Sequence, residues 1–176
     1  MPQVSAHEAR PRGFKLNLSF RIMLMAETII ALAADHAGFD LKEYLRTHLR
    51  DKGFKIEDLG TFNGASVDYP DFGYALAQAI IDGRAIKGVA VCGSGIGISI
   101  AANRHPGVRA ALCHEPLSAR LARQHNDANI LALGARLIGP AMASEILDVF
   151  LKTDFEGGRH QLRVDKLGAP PDGSAE

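Results

Sequence analysis

The stretch that decides the fold is Val89-Ala90-Val91-Cys92-Gly93-Ser94-Gly95-Ile96-Gly97-Ile98-Ser99-Ile100-Ala101-Ala102-Asn103. It opens with small and β-branched apolar residues, which are typical of a buried strand. It turns at a run of glycines and continues as an alanine-rich apolar segment that favours a helix. Cys92 ends the predicted strand, and Ser94 places a hydroxyl inside the turn. Ligands of open α/β sheets bind outside the carboxyl ends of the strands, so this turn is a candidate binding site.

Strand and helix signals alternate along the chain on both sides of this turn. Apolar runs predict parallel strands, and one alternating run predicts an edge strand; the five strands cover residues 28–34, 54–59, 87–91, 108–113 and 129–133. Helical spacing of apolar residues predicts helices over 39–51, 71–83, 116–125 and 140–151. The predicted fold is α/β, a Rossmann-like three-layer sandwich in which helices cover both faces of a five-stranded parallel sheet.

The chain is expected to form one domain, because 176 residues suffice for a single hydrophobic core. We assign residues 26–165 to that domain. Residues 1–25 mix basic and apolar residues without a signal-peptide core, so we expect a disordered extension or an early start codon upstream of Met25. The tail over residues 166–176 is rich in Gly, Pro and Ser and is expected to be frayed.

Composition limits the partners of this protein. Lys plus Arg and Asp plus Glu both number 20, so the formal net charge is zero. A neutral chain gains little from counterion release, which argues against nucleic acid or an anionic membrane as a partner. No run is long and apolar enough to span a bilayer. The two cysteines are too few for a disulfide framework and indicate a reducing, cytoplasmic compartment.

The glycine turn does not match the common nucleotide-binding motifs. Gly93, Gly95 and Gly97 give G-x-G-x-G, and Ile98 stands where a dinucleotide fingerprint has its third glycine. No Gly-Lys-Ser/Thr follows, which excludes a P-loop. Consecutive backbone N–H groups at such a turn still form a site for a phosphate or a developing oxyanion.

Cys92 is the candidate nucleophile or base. A buried cysteine is most often packing, but this one precedes a turn of N–H donors that favour a thiolate. Cys113 has no glycine turn after it and is interpreted as structural. The His and Cys residues show no compact ligand spacing, so we expect no metal site.

Polar residues follow or precede other strands. Asp35 and His36 follow the first strand, and His125, Asn126 and Asp127 lie just before the fifth. If the first and third strands are neighbours, Asp35 and His36 share one crevice with Cys92. A histidine and a thiol together suit acid–base chemistry near neutral pH.

Two basic residues of the segment over 152–165, between the last predicted helix and the frayed tail, form another candidate set. Arg159 and Arg163 are four residues apart and flank His160, so on a helix their guanidinium groups would share one face. A solvated charged face is the ordinary explanation of such a pair. A tail segment is also well placed to reach a partner subunit.

Five ordered motifs together resemble ribose-5-phosphate isomerase B and its wider group of sugar-phosphate isomerases, which includes galactose-6-phosphate isomerase subunits. They are Asp35-His36-Ala37-Gly38, Asp68-Tyr69-Pro70-Asp71, the stretch from Cys92 to Asn103, Arg123-Gln124-His125-Asn126-Asp127-Ala128-Asn129, and Glu156-Gly157-Gly158-Arg159-His160-Gln161-Leu162-Arg163. The resemblance covers nearly everything except residues 1–25 and the last residues.

The resemblance implies an enzyme that interconverts ribose 5-phosphate and ribulose 5-phosphate, without metal or cofactor, through a cis-enediolate. It implies that Cys92 moves the proton between C2 and C1, that Ser94 and the loop Gly93, Gly95, Ile96 and Gly97 hold the enediolate oxygens, and that His125 opens the furanose ring. It assigns the sugar hydroxyls and the phosphate to Asp35, His36, Asn126, Arg136, Arg159 and Arg163. It also implies a homodimer or a dimer of dimers whose sites draw on two chains.

Two alternatives remain open from the sequence. One is the same chemistry on a tetrulose 4-phosphate, allose 6-phosphate or galactose 6-phosphate, since the sequence does not show the length of the pocket. The other alternative is a non-catalytic sugar-phosphate or nucleotide-binding module. The presence of Cys92 and His125 argues against it. One departure from the resemblance is Ser94, where many members carry Thr; the hydroxyl is kept, but the methyl that restricts its rotamer is absent.

Overall fold

A computed structural model describes residues 28–168, which form one parallel sheet with helices on both faces. The strands are β1 (Ile29–Ala34), β2 (Lys55–Asp58), β3 (Lys87–Cys92), β4 (Ala110–Leu112) and β5 (Ile130–Gly134). The helices are α1 (Phe39–Asp51), α2 (Tyr69–Ile81), α3 (Ile96–Ala102), α4 (Pro116–Asn126), α5 (Pro140–Lys152) and α6 (Gln161–Gly168), with a 3₁₀ turn over Gly158–His160. The predicted fold class is confirmed.

The strand order is β2-β1-β3-β5-β4, and every pair is parallel. The chain steps outward from β1 to β2 and then returns to place β3 on the other side of β1. Helices that follow β1 and β3 therefore leave the sheet in opposite directions, which opens a crevice between the two strand ends. β1 and β3 are neighbours in the sheet, as the expected crevice requires.

The core is divided between the two faces of the sheet, as the side-chain period of a strand requires. In β1, Ile30 and Leu32 face α1, α4 and α5, whereas Ala31 and Ala33 face α2 and α3. The second face is lined mainly by alanines of β1, β3 and β5, and the sulfur-bearing Cys92 belongs to it. Residues buried on both faces explain why the strands read as continuous apolar runs.

Some element bounds differ from the sequence prediction. β4 covers three residues instead of the six expected over 108–113, because it is an edge strand that pairs only with β5. Helix α2 begins at Tyr69, two residues earlier than expected. Pro70 is compatible with this start, since a helix leaves the N–H groups of its first turn without intrahelical partners.

The ends of the chain relate to the domain prediction in different ways. Residues 1–25, expected to be an extension, lie outside the described residues, as do residues 169–176 of the expected frayed tail. Residues 166–168 belong to helix α6. Within residues 28–168, no helix is long and apolar enough to cross a bilayer.

Candidate active site

A cleft of about 350 Å³ opens where β1, β3 and β5 end. Sequence-predicted residues from three separate turns line it, namely Asp35, His36, Cys92, Gly93, Ser94, Gly97 and Arg136. Ala37, Tyr69 and Leu137 complete the lining. The crevice expected at the first and third strands is therefore extended by the turn after β5, which the strand order makes a neighbour of β3.

Cys92 is the buried centre of this cleft. Its residue surface is 4% exposed, and its Sγ accepts a hydrogen bond from the N–H of Gly95 at 3.0 Å. The donor is aimed at the atom on which a thiolate carries its charge. Cys113 lies just after β4 and is also free, but burial raises the pKa of its thiol. The two cysteines thus have different environments, and only Cys92 lines the cleft.

Two glycines of the turn are required by close approach. Gly95 has φ +77°, and a Cβ there would lie 2.5 Å from a Leu112 side-chain carbon and 2.8 Å from the backbone carbon of Leu133. A Cβ on Gly97 would lie 2.6 Å from the ring of Tyr69. The glycines therefore let the turn lie directly on the sheet end, with the Gly95 N–H directed at Cys92 Sγ.

Ser94 and Ile96 complete the turn in different ways. The Ser94 hydroxyl oxygen accepts a hydrogen bond from the Ile96 N–H at 3.3 Å. The Ile96 side chain is half exposed and does not line the cleft. Its expected contribution to binding would therefore come from its backbone.

Asp35 and His36 are held by contacts within their own turn, with β3 and with the loop before α2. The Asp35 carboxylate accepts the Gly38 N–H at 3.0 Å, and the Asp35 N–H donates to the Val91 carbonyl of β3 at 3.2 Å. Nδ1 of His36 lies 3.2 Å from both the nitrogen and the carbonyl oxygen of Val67. These contacts fix both side chains at the crevice and leave the remaining imidazole nitrogen of His36 for a ligand.

Arg136 supplies the cation of the cleft. Its N–H donates to the Gly93 carbonyl at 3.0 Å, and the neighbouring Ala135 N–H donates to the Cys92 carbonyl at 2.9 Å. Its guanidinium side chain runs beside Gly93, 3.5 Å from where a Cβ of that residue would be. A guanidinium presents donors that match phosphate and hydroxyl oxygens.

Tyr69 is a lining residue that sequence reasoning did not assign to the site. It is the first residue of α2, and its ring packs over Gly97. The signal available in the sequence was the motif Asp68-Tyr69-Pro70-Asp71, which carries the resemblance but has no spacing that indicates a role. Leu137 was missed in the same way, since an apolar residue after a strand has no chemical signature.

His125 lies in a second group of side chains, at the end of α4. Its ring stacks on that of His160, with centroids 4.3 Å apart and an interplanar angle of 8°. A carboxylate oxygen of Glu156 lies 4.0 Å from Nε2 of His125 and 3.6 Å from Nε2 of His160. Burial, together with the charges of His125 and Arg159, lowers the pKa of His160, while Glu156 opposes that shift. We call His125, Glu156 and His160 the histidine cluster.

The remaining predicted binding residues also lie outside the cleft. Within residues 28–168, the cleft lining includes none of His125, Asn126, Arg159 and Arg163. Asn126 instead lines a separate cavity of about 430 Å³ together with Arg109 and Leu167. Arg159 is in the 3₁₀ turn and Arg163 in α6, and both side chains are exposed. One chain therefore presents the predicted residues in two places.

The histidine cluster also has the composition of a metal site. Its candidate ligand atoms lie within 4.8 Å of one another, and imidazole with carboxylate is a common set for Zn²⁺. Sequence spacing did not indicate this grouping, because His125 lies far from Glu156 and His160 in the chain. The expectation of a metal-free protein stays a prediction.

The fold and the cleft define a class of protein. A doubly wound α/β chain with a thiol, a turn of N–H donors and an arginine at its topological switch point has a site for a small anionic molecule. The sequence matches the Ribose/Galactose Isomerase family over residues 30–167. The chain belongs to this family, a family of sugar-phosphate isomerases.

Individual relatives agree with this assignment. The chain is 46% identical over 140 residues to ribose-5-phosphate isomerase B of Escherichia coli, covering 80% of this chain and 94% of the relative. It is 45% identical over 140 residues to the D-erythrulose-4-phosphate isomerase of Pectobacterium atrosepticum, covering 79% and 92%. The solved structure of Clostridium thermocellum ribose-5-phosphate isomerase B superposes with a TM-score of 0.80 at 48% identity, covering 80% of this chain and 95% of that one.

Proposed function

We propose that this protein is an aldose–ketose isomerase that interconverts ribose 5-phosphate and ribulose 5-phosphate through a cis-enediolate. The observation that carries the proposal is the Cys92 thiol at the base of the cleft, with the Gly95 N–H donating to its sulfur at 3.0 Å. Isomerisation needs one base that takes a proton from one carbon and returns it to the next. The thiol supplies that base, and the turn of N–H donors beside it stabilises the developing oxyanion.

The proton balance of the reaction assigns roles within the cleft. The Cys92 thiolate takes the proton from C2 of the open-chain aldose, and the resulting enediolate carries its charge on the oxygens of C1 and C2. The N–H groups of the loop over 93–97, together with the Ser94 hydroxyl, hold these oxygens. Cys92 then returns the proton to C1, while the hydroxyl proton of O2 passes to O1. No proton is gained or lost overall.

Substrate binding follows from the polar side chains around the thiol. Asp35 and His36 bind sugar hydroxyls, because their turn faces the cleft beside Cys92. Arg136 binds an oxygen-rich part of the substrate from the turn after β5. Phosphate recognition favours guanidinium groups, which bind phosphate oxygens in bidentate pairs.

The other predicted residues reach the substrate from a second chain. His125, Asn126, Arg159 and Arg163 lie outside the cleft of their own chain. Exposed apolar residues lie on two helices that follow one another in the chain, Ile96 and Ile100 on α3 and Leu117 and Leu121 on α4, and they are available to an interface between subunits. We infer a homodimer, or a dimer of dimers, in which each cleft receives the ring-opening His125 and the phosphate-binding arginines from the partner.

The cellular setting belongs to the same proposal. Two free buried cysteines and zero net charge fit a cytoplasmic enzyme of the pentose phosphate pathway that acts on a small molecule and binds neither nucleic acid nor membrane. The proposed chemistry needs no metal or cofactor, since proton transfer is carried by side chains alone.

A second candidate substrate is D-erythrulose 4-phosphate with its aldose isomer. The supporting observation is the relative of that name, at 45% identity over most of both chains. The enediolate chemistry is the same, and the two substrates differ in length by one carbon.

A coupled assay with sugar phosphates of different length tests both candidates. Four-, five- and six-carbon aldose phosphates are compared by kcat/KM, including allose 6-phosphate and galactose 6-phosphate. We expect the highest value for ribose 5-phosphate. A higher value for a four- or six-carbon substrate would reassign the substrate, and no turnover of any would leave the binding module as the better description.

A further inference from the structure

The proposed role of His125 leaves one feature of the histidine cluster unexplained. His125 is a partly exposed side chain at the last turn of a helix, and exposed side chains change rotamer readily. A general acid must lie within hydrogen-bond reach of the atom that it protonates. Something other than its own helix must therefore fix the imidazole.

His160 is placed to do this. It is 4% exposed, and its ring lies parallel to that of His125 with centroids 4.3 Å apart. One face of the His125 ring therefore packs flat against the ring of His160. The other neighbour is Glu156, whose carboxylate lies 4.0 Å from Nε2 of His125. The parallel stack constrains the plane of the His125 imidazole.

The segment that carries His160 is anchored to α4, the helix that carries His125. The buried Arg123 donates from Nε to the Thr153 carbonyl at 3.2 Å, and the Glu156 N–H donates to the Gln124 carbonyl at 3.1 Å. Gly157 and Gly158 both have positive φ, and this turn brings His160 back beneath α4. The segment that carries His160 is therefore tied to α4 at Thr153 and Glu156, just before the turn that leads to His160.

We propose that His160 is a positioning residue that holds His125, by ring stacking, in the orientation needed to open the furanose ring. The inference rests on the proposed function, in which His125 is the ring-opening acid. Displacement of a catalytic group by about 1 Å can lower a rate by roughly 10²-fold, so loss of the His160 ring should slow ring opening strongly. Proton transfer at Cys92 should be unaffected, because His160 does not line the cleft.

Three variants test the stack. His160→Ala removes the ring, and His160→Phe keeps a flat ring without its nitrogens. His105→Ala is the matched control, since His105 is an imidazole that contacts the Tyr74 ring at 5.5 Å, away from the cluster. We expect kcat/KM for ribose 5-phosphate to fall about tenfold or more in His160→Ala and to stay near wild type in the other two.

Hydrogen exchange separates positioning from a general structural defect. Ribulose 5-phosphate is open-chain, because its O5 carries the phosphate and cannot close a five-membered ring. Exchange of its C1 proton with solvent therefore reports on Cys92 without ring opening. We expect wild-type exchange in His160→Ala. An equal loss of exchange and turnover would show a structural role and would overturn the proposal, as would full turnover in His160→Ala or a His160→Phe variant as slow as His160→Ala.

Nuclear magnetic resonance of the intact protein provides a readout without turnover. A stacked ring shifts the ring protons of His125 upfield, and we expect that shift in wild type and in His160→Phe but not in His160→Ala. A wild-type protein without it would contradict the stack.

Two further outcomes separate this inference from others. Loss of turnover with EDTA, restored by Zn²⁺, would assign the histidine cluster to a metal and overturn the positioning role. A wild-type protein that binds ribose 5-phosphate without isomerising it would remove the proposed function and this role together, whereas an active wild type with an unimpaired His160→Ala variant would remove the role alone.

Discussion

The cleft around Cys92 and the histidine cluster around His125 are held in opposite ways. The cleft is built from turns that follow adjacent parallel strands, and backbone hydrogen bonds join these turns to one another. The histidine cluster is built from the end of α4 and the segment over 156–160, and its side chains are partly exposed except for that of His160. The proposed base therefore lies at the end of the sheet, whereas the proposed acid and the arginines lie on a more exposed part of the surface.

The largest expected effect comes from the centre of the cleft. Cys92→Ala should reduce isomerisation by roughly 10³-fold or more, because it removes the only proposed base. Substrate binding should be largely kept, since the loop N–H groups and Arg136 remain. Turnover by coupled assay and binding by calorimetry measure the two effects. Normal turnover in this variant would exclude the proposed mechanism.

Mixing two inactive variants tests whether the two regions act across chains. In the proposed homodimer, the Cys92→Ala and His125→Ala variants each lack one proposed catalytic group in both sites. If subunits exchange at random and sites are shared, about a quarter of the sites in the mixture regain every group, so activity should return to about a quarter of wild type. Activity that stays at background after proven subunit exchange would place both residues in a site of one chain.

His125→Ala should affect substrates unequally. Turnover of ribose 5-phosphate should fall by roughly 10²-fold, the lower end of what general acid catalysis contributes. A tetrose 4-phosphate cannot form a furanose, because its O4 carries the phosphate, so its turnover should change much less. The ratio of the two kcat/KM values measures the effect. Equal losses on both substrates would contradict the ring-opening role.

Arg163→Ala should have a smaller effect, confined mainly to binding. We expect KM to rise by about tenfold with a smaller fall in kcat, because a charge-assisted hydrogen bond to phosphate is lost. Lys166→Ala is the matched control, since this exposed cation lies on the same helix α6. An unchanged KM, or an equal rise in the control, would count against a phosphate role for Arg163.

The smallest effects concern stability of the turn that forms the cleft. Gly53 and Gly95 both have positive φ, but a Cβ meets nothing within 4 Å at Gly53 and meets Leu112 and Leu133 at Gly95. Gly53→Ala should lower the free energy of unfolding by about 1–2 kcal/mol, the usual cost of the left-handed conformation. Gly95→Ala should cost more. Urea denaturation compares them, and equal losses would show that the turn tolerates the added carbon.

Much of the fold and part of the site could be predicted from the sequence. Apolar runs such as 28–34 and 129–133 predicted strands within one residue, since strands buried on both faces must be continuously apolar. β4 was predicted too long, because pairing with only one neighbour is not visible in its residues. Cys92 and the glycine turn could be predicted as a site because their residue types are chemically distinctive. Tyr69 and Leu137 could not, since their position in the cleft depends on how α2 and the turn after β5 pack.

The sequence by itself determined the class of fold, the thiol at a strand end and the family to which the chain belongs. These depend on local periodicity and on ordered motifs that survive without coordinates. Only the tertiary structure decided that Arg136 joins Cys92 in one cleft while His125 stacks on His160 outside it. Strand order and helix packing bring together residues that are far apart in sequence. Neither can be predicted from the sequence spacing of those residues.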